Sequence, residues 1–521
     1  MKALGFNIGY SNRTLSVSRP GAPPQNSSER RPRGGAGAMR LYDGAKTDRL
    51  ATGWTTRPLT IDEVVRMSLR TLRARSRDAG DKNDYQKKFK SLARSNIIGP
   101  QGIGLQARAK WNNKTPDIDA NDAIEDGFRK WGEPGYCDVT GTLSWKVQQN
   151  LVINTVVEDG EALMIEHRGA NAGPYGYALQ HLDPELLDVN YDREDLPNGN
   201  YIRMGIEFTQ LGRPVAYHLI DAKSSDYSYS YSSRKYRPIS AEKIIHLFIV
   251  ERVGQKRGLP WNATSIFHMK MLDGYDDAAL VNARFGASQM GFITSEHGQH
   301  KGDGEDGLGN TVIEVEPGVF RHLNPGEKVE KWDPEYPNGE YDGFEAAQLR
   351  RIAAGLGVSY TSLSGNLKDV NFSSIRAGLL EERSVWQALQ QWMIEYFHQR
   401  VYRNWLQMAL LNRKLWAAGA PLSPEREMKY REVVWMPRGW KWVDPKKEME
   451  ANEKAINENV KTASAVIREE GNDPDEVFRE RAWELNRMKE LGITPAKKPK
   501  ASGNQKEDKD DDDETDDKDD E

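Results

Sequence analysis

The sequence predicts an α+β fold in which helices predominate, and three observations carry that expectation. Apolar residues recur at mostly three- and four-residue spacing, most plainly at Leu379, Trp386, Leu389, Met393, Phe397, Val401 and Trp405, which places one stripe on one helical face. Between Gly160 and Val250 the pattern changes to short strand-like runs divided by turn signals. The chain has 521 residues, room for about two to four structural units, and no run approaches the roughly 20 apolar residues that cross a bilayer.

Order is expected to begin near Leu59. Thr60 and Glu63 have capping-box spacing, followed by Ile61, Val64, Val65, Leu69 and Leu72 on one face. Arg66, Arg70, Arg73 and Arg77 lie on the other, read as a solvated face or subunit contact rather than a nucleic-acid surface. A second helix carries Tyr85, Phe89, Leu92, Asn96 and Ile97 and stops at Gly99-Pro100. A third spans residues 117–131. Strands are expected at 161–167, 177–182, 201–208, 215–220 and 244–250, mostly as antiparallel hairpins, with Gly205 slightly weakening the third.

Residues 262–290 return to helical spacing, with Gly274 a possible bend. A Gly/Asp-rich excursion follows at 294–310, then strand-like runs around 312–315 and 318–323. A further helix covers 344–356. The polar stretch 362–370 reads as a loop, and Ser373 or Ser374 as the cap of a rod reaching Leu411, about 55 Å long at 1.5 Å per residue. Residues 435–442 form an aromatic, extended connection. Asp444-Pro445 opens a charged helix at its cap and first position, and a last helix covers 474–491.

The ends differ in charge. Lys2, Arg13, Arg19, Arg30, Arg31, Arg33 and Arg40 face only Glu29 in the first 40 residues, whereas 506–521 are mostly Asp and Glu. Both ends read as disordered arms, 1–58 basic and 495–521 acidic, beneath a net charge of −5. The single cysteine, Cys137, excludes an intrachain disulfide and reads as a core thiol.

Catalytic signatures are missing. There is no Gly-x-x-x-x-Gly-Lys-Ser/Thr loop to cradle ATP phosphates and no Gly-x-Ser-x-Gly elbow. His297 and His300 beside Asp303, Glu305 and Asp306 raise a metal site, but they sit in a Gly-rich loop, and EF-hand spacing fails at Gly307 and Leu308. The expectation is no enzyme, no cofactor and no metal.

The order of five markers resembles the lambda-type portal proteins of tailed bacteriophages. They are Gln255-Lys256-Arg257-Gly258-Leu259-Pro260-Trp261, Leu323-Asn324-Pro325-Gly326-Glu327, Ile352-Ala353-Ala354-Gly355-Leu356-Gly357-Val358-Ser359-Tyr360, Asn371-Phe372-Ser373-Ser374-Ile375-Arg376 and Val443-Asp444-Pro445. Phe372 stands where the family commonly has Tyr. The resemblance covers residues 59–491. It implies a portal fold with a wing at 59–261, a first stem helix at 262–290, a clip at 291–342 and a second stem helix at 343–356. A tunnel loop would follow at 357–372, a long tunnel helix returning to the wing at 373–443, and a crown at 444–494.

The same resemblance implies a ring, typically of about twelve subunits, at one capsid vertex, through which double-stranded DNA is packaged and ejected. Partners would be other copies of the chain, the large terminase, a head–tail adaptor, and the major capsid and scaffolding proteins, with no membrane. The location would be the virion, after assembly in the bacterial cytoplasm. The tunnel-loop candidates are Asn366, Lys368, Asp369 and Asn371; the stem-channel candidates are Asp273, Asp276 and Asp277. If each of about twelve subunits fixed one phosphate, the salt slope would reach about −11, too tight for sliding. A weakly binding channel is expected. The rival readings are another head-assembly or connector protein of a tailed phage, and a metal-dependent nuclease using His297, His300 and Asp303.

Overall fold

A computed structural model describes residues 55–111, 115–221, 235–287, 341–368, 372–440 and 445–493. It also describes positions 49 and 53 and short strands at 2–3, 6–11, 14–18, 291–295, 304–305, 311–312 and 327–331. The chain divides into two compact units, Met1–Leu59 and Thr60–Glu521.

The first unit holds an antiparallel meander, Lys2–Ala3, Phe6–Ser11 and Thr14–Ser18. Ile8 faces Val17 and Tyr10 faces Leu15 in register. This corrects the expectation of a wholly disordered basic arm: period-two apolar alternation at 6, 8, 10 and 15, 17 favours strand pairing in spite of the basic composition. The acidic segment 495–521 lies outside the described residues.

In the second unit, helix α1 (Ile61–Lys82) starts at the capping box, where the Thr60 hydroxyl accepts from the Glu63 N–H at 3.3 Å and the Glu63 carboxylate accepts from the Thr60 N–H at 3.0 Å. Asn83 both ends α1 and caps α2 (Asp84–Ile97). Asp117 caps α3 (Ile118–Trp131). Helix α4 (Trp145–Asp159) had no counterpart in the sequence reading. Its buried residues, including Trp145, Gln148, Gln149, Val152, Ile153, Val156 and Val157, form one broad stripe, and Lys146, Asn150, Asn154 and Glu158 lie on the opposite side. It is the central helix of the main core, which also draws on Phe89, Ile97, Trp131, Phe397 and Trp405.

Gly160, at φ +86°, turns α4 into the strand Glu161–Arg168. A Cβ there would lie 2.3 Å from the Leu259 carbonyl carbon, so only glycine fits. A three-stranded sheet follows in the order Ile244–Phe248, Glu161–Arg168, Tyr177–Leu182. A four-stranded sheet runs Tyr236–Ser240, Pro214–Ile220, Ile206–Phe208, Tyr201–Arg203. The single strand expected over 201–208 is therefore corrected to a hairpin. Met204 and Gly205, at φ +49° and +81°, turn the chain back in two residues, as tight hairpin turns require. Methionine is an unusual residue for that position, which hid the turn.

Helix α5 (Ile266–Ala287) runs through Gly274 without interruption and lies against α6 (Tyr341–Leu356). Between them Gly291–Ser295 pairs with Glu327–Lys331, and Gly304–Glu305 with Thr311–Val312. The run expected at 318–323 lies outside the described residues. The short helix α7 (Tyr360–Ser364) occupies the start of the stretch read as loop, which corrects that expectation.

The rod is built from α8 (Phe372–Met393), a π turn (Ile394–His398) and α9 (Gln399–Leu411). Trp386, Met393, Phe397, Val401 and Trp405 are buried, as the stripe requires. Ser373 and Ser374 stand inside the first turn, because the helix already begins at Phe372; the expected serine cap is corrected accordingly. After the short α10 (Glu427–Tyr430), Val433–Met436 pairs antiparallel with Gly104–Ala107 and returns the chain to its early helices. Helices α11 (Pro445–Asn457), α12 (Ala463–Glu469) and α13 (Pro474–Glu490) close the described chain; Asp473 caps α13 with Pro474 at its first position.

Candidate functional site

Two constellations stand out, one structural and one at the surface. The first lies at the marker 255–261. Arg257 is fully buried and its Nε donates to both oxygens of Glu161, at 2.9 and 2.8 Å, while its Nη1 donates to the carbonyls of Leu187 and Met204, at 3.0 and 2.8 Å. Glu161 also accepts from Arg73 at 2.9 Å, from the Gly258 N–H at 3.2 Å and pairs with His246 at 3.0 Å. Burial opposes ionisation of this carboxyl, but Arg257 and His246 outweigh it and hold it well below the usual carboxylate range. Burial lowers the pKa of His246 despite the Glu161 carboxylate beside it.

This network corrects the reading of the arginine face on α1. Arg73 is buried and reaches Glu185 at 2.8 Å as well as Glu161. Arg77 forks onto Asp159 at 2.6 and 2.9 Å and meets Asp183 at 2.7 Å. Arg66 pairs with Asp192 at 3.0 Å. Their carboxylate partners lie more than 80 positions away in sequence, and helical spacing alone cannot show them. The marker therefore ties the residues just before α5 to α1 and to the strand Glu161–Arg168. It is a joint, with no nucleophile or metal-ligand geometry.

The second constellation is the turn between α6 and α8. Gly357, at φ +70°, ends α6, and the Val358 N–H closes back on the Ala353 carbonyl at 3.1 Å. The Ser359 side chain then caps α7, accepting from the Ser362 N–H at 3.2 Å. Glu382 on α8 clamps both ends of this turn. One of its oxygens accepts from the Ser359 N–H at 3.1 Å and the Ser362 hydroxyl at 2.8 Å, and the other from Trp386 Nε1 at 3.1 Å. Glu382 is the residue of this turn that the sequence did not disclose, because its partners sit 20 and 23 positions away. Glu382→Ala should release α7, read as much faster amide exchange over residues 359–368 with the rest of α8 unchanged; unchanged protection there would remove the clamp assignment.

Beyond Gly365, at φ +73°, Asn366 folds the tip. Its amide reaches the Tyr360 hydroxyl at 3.3 Å and its side-chain oxygen accepts from the Lys368 N–H at 2.8 Å. Leu367 and Lys368 are exposed. Arg350 on α6 stands 5.0 Å from the Tyr360 ring centroid, a second cation beside the loop that the sequence reading left out. Asp369 and Asn371 lie outside the described residues.

On α5, Asp273 accepts from the Asn83 amide at 2.6 Å and Asp276 from the Tyr341 hydroxyl at 2.9 Å. Partial burial raises both carboxyl pKa values. Asp277 is exposed. The structure thus separates the three: two tie α5 to its neighbours and one points outward. Of the histidine group considered for metal, His297, His300, Asp303 and Asp306 lie outside the described residues. Cys137 is buried, with its thiol pushed up to about 12 by burial, and it accepts from Gln148 at 3.0 Å, which suits a core thiol and not a nucleophile.

Comparison with known proteins agrees with the order of markers. The family model described as phage portal protein, lambda family, matches residues 47–390. A probable portal protein of Halomonas phage phiHAP-1 is 32% identical over 481 residues, covering 91% of this chain and 90% of its own length. The portal protein of Escherichia phage N15 is 21% identical over 478 residues, covering 85% and 89%. Portal protein B of Escherichia phage lambda is 24% identical over 322 residues, covering 56% and 60%.

Proposed function

The chain belongs to the lambda family of phage portal proteins, and from that premise we propose that its copies form a ring at a single capsid vertex, around a channel for DNA packaging and ejection. Portal proteins are virion components, and the ring would be assembled in the host cytoplasm before the capsid is filled. About twelve copies would close it. The observation that carries the channel reading is the turn at 357–368: held from behind by Glu382, it projects an exposed tip with Asn366, Leu367 and Lys368. Asn366 already uses its hydrogen-bonding atoms within the tip. A rigid surface with little free hydrogen-bonding capacity and few charges suits sliding DNA, since each fixed phosphate steepens the salt dependence by about one unit. Asp369 and Asn371 would complete the loop.

The chain carries no phosphate-cradling loop, so the ATP-driven motor would be a separate protein, the large terminase, docking on residues 291–342. A head–tail adaptor would later take the same end. The region 59–261 would meet capsid and scaffolding proteins, and 444–494 would form the crown. Electron microscopy of the purified protein tests the ring: particles with a central hole are expected, and a chain that stays monomeric at high concentration would overturn the proposal. Deleting residues 363–370 should leave rings intact while packaging or DNA retention fails. Normal packaging and retention by that variant would refute the loop's role.

A further inference from the structure

We infer that the outward face of α5 docks against the outward face of α6 on a second copy of this chain, with Asp277 of one copy opposite Arg351 of the next. The inference rests on the ring reading and names the surfaces that would join its subunits. It begins with α5. One side of this helix is buried in its own subunit through Ile266, Met269, Leu272 and Ala279. The other side is also apolar, yet Phe267 is 64% exposed, Met271 59% and Val281 47%. Helical geometry puts Phe267, Met271, Gly274, Ala278 and Val281 on one stripe. A helix apolar on two sides is built to be covered on both, and the described residues of its own chain cover one.

The complementary surface is on α6. Leu349, Ile352, Ala353 and Leu356 are buried. The outward side carries Gly343, Ala347 and Ala354, all exposed, with Arg350 and Arg351 between them. Among the described residues, no atom lies within 4 Å of where a Cβ would stand on Gly343 or on Gly274. Small residues on α6 leave a shallow groove, and the large side chains of α5 supply a ridge of matching kind.

Charge points the same way. Asp277 flanks the α5 stripe, one turn from Gly274 and from Val281, whereas the α6 face is basic. Asp277 and Arg351 are exposed, and neither forms an ion pair among the described residues. A ridge with a carboxylate on one helix and a groove with guanidinium groups on another are unlike surfaces of a single chain. Unlike, complementary surfaces generate head-to-tail contact, the type that closes into rings, whereas a two-fold dimer matches a surface with itself. Asp277 is thereby assigned to the contact between copies and not to the channel wall.

Cysteine pairing tests the contact, because Cys137 is buried and leaves the surface free of other thiols. Full-length Met271→Cys and Ala347→Cys proteins, mixed and treated with a short bis-maleimide, should give covalent dimers, while the variant carrying both should give a ladder rising to the ring. Dimers from Met271→Cys alone would mean a two-fold contact and overturn the inference. Rings visible by microscopy without cross-links would overturn this contact but leave the ring standing; absence of rings in the unmodified protein would overturn both. As a second measure, Asp277→Lys should lower the ring fraction at least tenfold, and Arg351→Asp added to it should restore most of the loss. Rings unaffected by Asp277→Lys would rule out the assigned charge pair, with circular dichroism checking that each variant is folded.

Discussion

Replacing Arg257 with alanine should destabilise the protein by about 3–5 kcal/mol, the usual cost of stranding a buried charge without its partner. Arg257 and Glu161 are both fully buried, and the guanidinium also satisfies two carbonyls at the Met204 hairpin and at Leu187. Its removal leaves those acceptors open and leaves Glu161 with Arg73 as its remaining buried guanidinium. Solvent cannot readily replace the lost donors there. The double variant Arg257→Met, Glu161→Gln should recover part of the loss, since position 161 then carries no charge and Arg73 keeps Asp159 and Glu185. Chemical denaturation of the three proteins gives the comparison. A single variant within about 0.5 kcal/mol of the parent would show that the network contributes little.

Glu125→Gln should stabilise the protein at neutral pH by about 2–3 kcal/mol, with the gain vanishing near pH 4.5. Glu125 on α3 accepts from the Ala107 N–H at 2.7 Å, and burial pushes its carboxyl up to about 8, with Asp473 and Asp122 adding to the rise against Arg479. In the folded chain it stays protonated where the unfolded chain has already released the proton. The folded state therefore binds more protons between about pH 4.5 and 8, and stability contributed by this group falls as pH rises through that window. Glutamine keeps an oxygen for Ala107 and has nothing to titrate. Denaturation midpoints of both proteins at pH 4.5, 6 and 8 test this; a difference that does not grow with pH would show that Glu125 ionises normally.

Local signals in the sequence were those whose partners lie nearby. The Thr60–Glu63 capping box, the last helix from 474 and the stripe from Trp386 to Trp405 each depend on a few adjacent turns, and each is present. Helix α4 escaped because Gln148 and Gln149 stand in its buried stripe while Val147 and Leu151 lie outside it, so hydrophobicity carries no helical period there. The arginines of α1 were misread because helical spacing shows that residues share a face, not what that face meets; Asp159, Glu161, Asp183 and Glu185 supply the answer from elsewhere in the chain. The candidate loop follows from the family resemblance, and Asn366 and Lys368 within it from residue type. Glu382, which holds the loop in place, could not, since nothing near it in sequence signals a contact with Ser359 and Ser362. Family membership was legible from five short motifs in order, which is a different kind of information from periodicity.

The π turn Ile394–His398 sets an angular phase for the whole rod. There the Gln399 N–H bonds to the Ile394 carbonyl, five residues back, so one extra residue is accommodated without ending the helix. Each residue advances an α-helix by about 100°. A homologous chain lacking that one residue could keep Val401 and Trp405 in the core only by swinging Glu382 and the turn it grips about a quarter of the way round the axis. Insertions and deletions are usually tolerated in loops and harmless to geometry far away. At this position a single-residue change would act like a slipped tooth in a gear train, re-aiming a loop one full helix length away while every side chain of that loop stayed the same.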